Sequence, residues 1–460
     1  MSETIDLREH ARAIFSEALR SIDAARAIRN AVSLAQEQLA IVDTNFDLAA
    51  NPLKIYSVAL GKAGGMMAMA LDGILGECLR GGIVSTSSIE TLPLSARWQV
   101  FAGGHPLPNE ASMAAAQAAF ELLRRADGDN SALVIFLVSG GGSAMMEWPR
   151  DEAMTLEDLR ETNRALVTCG AGIAEINTVR RALSAIKGGG LSACAPHAAQ
   201  ITLIISDTAP GDALNVASGP TLQPTPEEGD DAASIIEHYE LAARLPASVV
   251  WSINEASRHQ PTTTPTSSLR RHYVLLDNES ALDAAAQSAR ARGFRVEIAR
   301  DINDQSIAEG CALLVSRVGE LRRQTLAEQS CALISGGEFS CPVRGEGIGG
   351  RNTETVLRCA LEWAAHAKEN PPAAPPFVIL SAGTDGIDGN SPAAGALCDE
   401  MTLKRAREMN LDAANSLATS DAYTFFHTLS DALHTGPTGT NVRDLRIFLS
   451  VQSSRFKVQS

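Results

Sequence analysis

The sequence predicts an α/β protein of two domains, each built on a mostly parallel sheet flanked by helices. Three observations carry this. Short continuous apolar runs alternate with segments of helical periodicity, the pattern of parallel strands buried on both faces. Alanine and glycine are abundant while aromatic residues make up 4% of the chain, a composition that suits close helix–sheet packing. At 460 residues the chain exceeds one ordinary core, so two domains are expected.

In chain order, Leu7–Leu39 places Ala11, Ile14, Phe15, Ala18 and Leu19 at helical spacing and reads as one or two amphipathic helices. The first strong strand is Ile55–Leu60, ending in Gly61-Lys62-Ala63-Gly64-Gly65, with a Met- and Ala-rich helix after it. Gly82–Ser85 and Trp98–Ala102 read as strands, the second leading into Gly103-Gly104-His105-Pro106; Ala111–Ala126 reads as a helix. Leu133–Val138 is apolar throughout and ends in Ser139-Gly140-Gly141-Gly142-Ser143-Ala144. Helices follow over Glu157–Thr168 and from Ile176 towards Lys187-Gly188-Gly189-Gly190, and then a strand, Ile201–Ile205, runs into Ser206-Asp207. Gln223–Asp231 and Arg258–Arg271, rich in Pro, Thr and charge, read as loops or domain crossings. Tyr273–Leu276, Ala281–Arg292 and Phe294–Ile298 read as a β-α-β unit. The apolar run Cys331–Ile334 then leads through Gly336-Gly337-Glu338 to a glycine-rich loop, and Thr353–Ala367 is helical. After a proline-rich turn, Lys368–Pro376, the strand Phe377–Ser381 enters Ala382-Gly383-Thr384-Asp385-Gly386-Ile387-Asp388-Gly389. The chain closes on the loop Thr435–Asn441 and a strand, Leu445–Val451.

Composition excludes several functions. A net charge of -15 opposes a polyanion-binding surface, so no nucleic-acid partner is expected. The eight cysteines form no CxxC pair and the nine histidines no HxH or HExxH, which argues for reduced thiols and against a protein-built zinc site. Met1–Arg29 lacks a signal-peptide core and no run approaches a membrane span, so the expectation is a soluble cytoplasmic protein with no membrane partner.

The loop Gly345-Glu346-Gly347-Ile348-Gly349-Gly350-Arg351-Asn352 formally matches GxGxxG, and also a P-loop if Arg351 and Asn352 replace its lysine and hydroxyl. The dinucleotide reading fails because the preceding strand is short and contains Pro342, and because Asp385 lies too far beyond the last glycine. The P-loop reading fails because an arginine is a planar fork, not a compact ammonium. What remains is a set of glycine-, serine- and aspartate-bearing turns after successive strands, where α/β proteins place ligands. Phosphoryl transfer needs cations, backbone donors, carboxylates for a metal ion and a group that orients the attacking hydroxyl. Lys62 and Arg351 are candidate cations, and the loops at Gly64, Gly140 and Gly349 are candidate donors. Asp207, Asp212, Asp385 and Asp388 are candidate carboxylates.

The motifs also carry a resemblance. GKAGG (Gly61–Gly65), GGHPLPNEAS (Gly103–Ser112), LVSGGGSA (Leu137–Ala144), INTVRRALSAIKGG (Ile176–Gly189), IISD with ASGPT (Ile204–Thr221), ISGGE with GGRNTE (Ile334–Glu354), SAGTDGIDG (Ser381–Gly389) and TGPTGTNVRDL (Thr435–Leu445) run nearly end to end. The chain resembles the glycerate kinase family that forms 2-phosphoglycerate and carries a C-terminal MOFRL domain. The resemblance implies a Rossmann-like N-terminal domain over 1–240 and a C-terminal α/β domain over 241–460 with a MOFRL-like region at 331–450, the active site lying in the cleft between them. It implies ATP and Mg²⁺ as cofactors and D-glycerate as the small-molecule substrate; a homodimer is the assembly considered. Lys62, Arg351 and Asp207 match the family's catalytic residues. Gly64, Ser139, Gly140, Gly141, Gly142 and Ser143 are assigned to the nucleotide, and Glu338, Asn352 and Asp385 to the substrate. The metal is assigned to Asp207 and Asp385, with the metal or base role open between Asp207 and Asp212. Arg351 is assigned to either a phosphate or the glycerate carboxylate. The alternative activity is an NAD(P)H-dependent hydroxypyruvate reductase, a label widely given to this family.

Overall fold

The computed structural model describes residues 6–87, 92–129, 131–222, 231–256, 269–326, 329–369 and 376–451. The loops expected over Gln223–Asp231, Arg258–Arg271 and Lys368–Pro376 fall largely outside these residues. The chain forms two compact units, one of Ala24–Leu276 and one of Met1–Asp23 with Asp277–Ser460. The division therefore falls after Leu276, not at residue 240. Its cause is strand pairing: Arg270–Leu276 lies parallel to Ala199–Ile205 and completes the first unit's sheet.

That sheet has six strands, all parallel, in the order Trp98–Ala102, Leu79–Thr86, Lys54–Leu60, Ala132–Ser139, Ala199–Ile205, Arg270–Leu276. The chain starts the sheet in the middle at Lys54–Leu60, builds outward to one edge, then returns to build the other half. The order reverses between Lys54–Leu60 and Ala132–Ser139, and the carboxyl ends of those two strands define the topological switch point at which doubly wound sheets bind ligands. Ala132–Ser139 is buried along its whole length, as its uninterrupted apolar run requires. The helix Glu110–Asp127 begins with a reciprocal cap between Asn109 and Ser112 and buries Ala115, Ala119 and Leu123 against Val58, Val134 and Phe136.

The expected helix over Leu7–Leu39 stops earlier. Leu7–Ser21 and Ala24–Ala31 are helical, but Val32–Ala35, Gln38–Ile41 and Thr44–Asp47 form a three-stranded antiparallel sheet. The first turn is the two residues Gln36 and Glu37, both at positive φ. Such a turn usually announces itself with Asn-Gly, and its absence leaves the helical reading unchallenged in sequence.

The second unit's sheet runs Arg295–Ala299, Cys331–Gly337, Asp444–Ser450, Phe377–Gly383, Gly395–Asp399, Ala432–Leu433. It is mixed, not mostly parallel: only its first pair is parallel. The alternation of strands and helices up to Phe377–Gly383 does keep one direction, since Cys331–Gly337 and Phe377–Gly383 are both antiparallel to the same strand. That strand, Asp444–Ser450, comes from the end of the chain and inserts between them. The expected β-α-β unit across residues 273–298 is also corrected, because its two strands belong to different sheets. The N-terminal helix Leu7–Ser21 belongs to this unit and buries Ala11, Ile14, Phe15 and Ala18 among Leu282, Ala285, Val378 and Ile447.

Candidate active site

In the first unit, the turn after Lys54–Leu60 and the turn after Ala132–Ser139 are tied together. The Lys62 amide donates to Gly140 O at 2.9 Å, the Ala63 amide donates to Ser139 Oγ at 3.0 Å, and Ser139 Oγ donates to Leu60 O at 3.3 Å. Gly61 has φ +109 and packs so tightly that a Cβ there would lie 2.7 Å from the Ser139 carbonyl carbon, so only glycine fits this crossing. The helix Gly64–Leu75 starts here, and Ala63 at its N-cap offers no side-chain acceptor. Its amino end therefore keeps the partial positive charge that favours phosphate.

Glycines bring three side chains to this crevice. A Cβ on Gly140 would lie 2.9 Å from Asp207 Cβ and closer still to its carboxylate, so the Asp207 carboxylate rests directly on Gly140. A Cβ on Gly141 would lie 3.3 Å from Lys62 Cγ and 3.1 Å from His105 Cδ2. Lys62, Asp207 and His105 thus converge on the Ser139–Gly141 turn. Ser143 begins a second network. Its Oγ is 3.0 Å from Ser218 Oγ, Ser218 donates to Asn177 Oδ1 at 3.0 Å, and Asn177 donates to Asn215 Oδ1 at 3.1 Å. Asn215 Nδ2 then donates to both Asp212 carboxylate oxygens at 2.7 Å. Ala217 and Ser218, both at positive φ, turn the chain into this network. Such backbone is costly and persists only where its surroundings over-determine it.

In the second unit, Asp444 sits in one row with Gly337 and Gly383 on the adjacent strands. Arg351, the first residue of the helix Arg351–Glu369, donates from Nε to Asp444 Oδ2 at 2.6 Å and from Nη2 to Asp444 Oδ1 at 3.2 Å. Nη2 also reaches Glu338 Oε1 at 2.8 Å. Asn352 Nδ2 donates to Asp444 Oδ1 at 2.9 Å, and Ser381 Oγ donates to Asn352 Oδ1 at 2.6 Å. Asp385 Oδ1 accepts from the Ile387 amide at 3.1 Å and would lie 3.1 Å from a Cβ on Gly383. Burial is the largest influence and would raise the Asp444 carboxyl, but Arg351, Arg446 and Asn352 together hold it below the usual carboxylate range. Behind it, the buried Arg446 lies 3.6 Å over the Phe339 ring, donates to Gly337 O at 3.2 Å and also bonds Gly336 O.

The Gly345–Gly350 loop is not a donor cradle. The amides of Gly347, Ile348, Gly349 and Gly350 donate to Thr419 O, Asp421 Oδ1, Asn390 Oδ1 and Thr353 Oγ1. The helix amides of Asn352 and Thr353 donate to the two oxygens of Asp388, each at 2.8 Å, and Thr353 Oγ1 adds a third bond at 2.8 Å. Asp388, one of the candidate carboxylates, is thus a buried helix cap. Burial pushes its carboxyl up to about 6 against the pull of those donors.

The structure therefore groups Lys62, Gly64, Ser139, Gly140, Gly141, Gly142, Ser143 and Asp207 at the first unit's switch point. Glu338, Arg351, Asn352 and Asp385 gather around the Gly337–Asp444–Gly383 row of the second. Sequence reasoning missed His105, Asn177, Ser218, Asp444 and Arg446. All but Arg446 lie inside motifs already quoted, GGHPLPNEAS, INTVRRALSAIKGG, ASGPT and TGPTGTNVRDL, which is the signal that points to them.

A parallel doubly wound sheet with a lysine, an aspartate and glycine turns at its switch point defines an α/β protein with a candidate ligand-binding crevice at its strand ends. Residues 10–254 match a family described as a domain of unknown function, DUF4147, and residues 331–444 match the MOFRL family. A glycerate 2-kinase of Pyrococcus horikoshii is 33% identical over 447 residues, covering 96% of this chain and 97% of that protein. A protein of Agrobacterium vitis provisionally named hydroxypyruvate reductase is 36% identical over 402 residues, covering 85% of this chain and 98% of its own. The crystal structure of a glycerate kinase from Thermotoga maritima superposes with a TM-score of 0.79 at 30% identity, covering 97% of this chain and 99% of that one. The chain belongs to the glycerate kinase family.

Proposed function

We propose that this chain is an ATP- and Mg²⁺-dependent kinase that phosphorylates D-glycerate to 2-phosphoglycerate. The observation that carries the reading is the convergence of Lys62, Asp207 and the Ser139–Gly142 turn beside the uncapped start of Gly64–Leu75. In this reading the Ser139–Ser143 turn and the helix start at Gly64, whose own amide donates to Gly61 O at 3.0 Å, face the nucleotide phosphates, and Lys62 stabilises charge on the transferring phosphoryl group. Asp207 orients the glycerate hydroxyl. As the new O–P bond forms and the bond to the leaving nucleotide breaks, the hydroxyl proton passes to Asp207 or to water.

Among the described residues no group of three or more His, Cys, Asp or Glu is arranged to hold a metal. Mg²⁺ is commonly held by one or two carboxylates together with substrate phosphates. Asp207 or Asp385 would hold it, and when bound it neutralises phosphate charge. Asp212 is the alternative for metal or base work; both its oxygens accept from Asn215, whereas Asp207 rests on Gly140 beside Lys62. Arg351, with Glu338 and Asn352, belongs to the acceptor substrate or a phosphate. A cytoplasmic location and a homodimeric state complete the proposal without altering these assignments.

The reductase alternative is less well supported. The strand Leu79–Thr86 ends on Ser85 and Thr86, where a nicotinamide site usually places an acid on the ribose, and the first turn is GKAGG, not GxGxxG. One experiment separates the two. ADP release that depends on D-glycerate supports the kinase, with the product identified as the 2- or 3-phosphate by NMR. Nicotinamide oxidation with hydroxypyruvate, and no ADP, would overturn it.

A further inference from the structure

Two carboxylates of different character hold Arg351. The side chain of Asp444 is 1% exposed; it grips the Nε–Nη2 edge, accepts from Asn352 and lies 3.8 Å from the Arg446 guanidinium. Removing such a partner would strand a buried charge, so Asp444 does not exchange. The side chain of Glu338 is 34% exposed and meets Arg351 at 2.8 Å. An ion pair this accessible is worth little, because water competes for both partners. Glu338 follows Gly337, whose φ of +81 and close approach to the Asn303 backbone anchor the start of the turn.

We propose that Glu338 is an exchangeable stand-in for the carboxylate of the acceptor substrate. A 2-hydroxy acid displaces Glu338 from Arg351, while Asp444 acts as the positioning residue that keeps the guanidinium fixed. This rests on the glycerate kinase reading and decides which anion Arg351 takes. Around the guanidinium, Arg351 and Arg446 face Asp444, Glu338 and Asp388, and Arg443 is already paired with Asp304. Carboxylates outnumber the remaining cations. Exchanging one singly charged carboxylate for another leaves that balance unchanged. A nucleotide phosphate would add charge beside two buried aspartates, at a cost that low dielectric amplifies.

The test is Glu338→Gln in the full chain, read by direct calorimetric titration of D-glycerate with a non-hydrolysable ATP analogue present and by steady-state kinetics. The glycerate Kd and KM are expected to fall about two- to fivefold, the range a half-exposed ion pair can supply. The nucleotide KM is expected to stay constant, and glycerol, which lacks the carboxylate, to gain nothing. A glycerate Kd that is unchanged or higher, or a nucleotide KM that falls instead, overturns the proposal. A second variant, Asp444→Asn, is expected to raise the glycerate KM more than tenfold and to abolish the gain from Glu338→Gln; retention of that gain would refute the positioning role. If Asp444→Asn does not fold, Glu338→Gln decides alone. Failure of the kinase reading would show separately, as wild-type protein that releases no ADP with glycerate; the titration still decides the exchange.

Discussion

Gly140→Ala tests the switch-point site through one methyl group. Gly140 does not adopt a left-handed conformation, so alanine is compatible with its backbone. The added Cβ would lie 2.9 Å from Asp207 Cβ and nearer to the carboxylate, distances that real Cβ atoms essentially never show. To regain ordinary contact the carboxylate must retreat by roughly 1 Å or more. A displacement of that size at a group that orients a reacting hydroxyl costs about 10²-fold in rate. The loss should appear in kcat for glycerate-dependent ADP release, with thermal unfolding shifted by no more than a few degrees. Because the methyl acts through Asp207, combining it with Asp207→Ala should cost little beyond Asp207→Ala alone, a coupling of about 2.7 kcal/mol. Gly73→Ala is the control: Gly73 lies in the helix Gly64–Leu75, where an added Cβ would meet nothing within 4 Å, and the rate should be unchanged. If Gly140→Ala stays within about threefold of wild type, or if the double variant loses the product of the single losses, then Asp207 does not act from the place described.

Lys62→Ala should lower kcat by about 10²- to 10³-fold with little change in stability, and a normal rate would remove Lys62 from the reaction. Asp388→Asn tests the buried cap by pH. The carboxyl titrates near 6 when folded, above its unfolded value of about 3.9, so the native state binds the extra proton between those limits and wild-type stability falls as pH rises through them. Relative to the variant, denaturant unfolding should show a loss of about 3 kcal/mol between pH 4 and 6 and a flat difference above; a constant difference throughout would contradict the assignment. Arg446→Leu should cost about 3–5 kcal/mol, since it strands the Gly336 and Gly337 carbonyls and leaves Asp444 with one fewer cation, and a loss below 1 kcal/mol in urea unfolding would rule out that role.

The α/β class, the strands of the first sheet and most residues of both clusters are legible in the chain's local patterns. These are local properties: a run such as Leu133–Val138 can only be buried on both faces, and a turn such as Ser139–Gly142 declares its backbone freedom in its composition. Strand order, partner choice and the state of each polar group were decided by tertiary structure. Nothing near Asp444 in the chain shows that its strand inserts between Cys331–Gly337 and Phe377–Gly383, although that insertion is what puts Asp444 against Arg351. The glycine loop at Gly345–Gly350 resembles a phosphate cradle until Asn390 and Asp421, both distant in sequence, are seen to accept from its amides, and Asp388 from the first amides of the helix that follows. Hydrogen-bond satisfaction is a property of the folded neighbourhood. Periodicity along the chain therefore identifies candidate ligand-binding turns, and only the packed structure separates Gly140, which supports an aspartate, from Gly349, whose donor is already engaged.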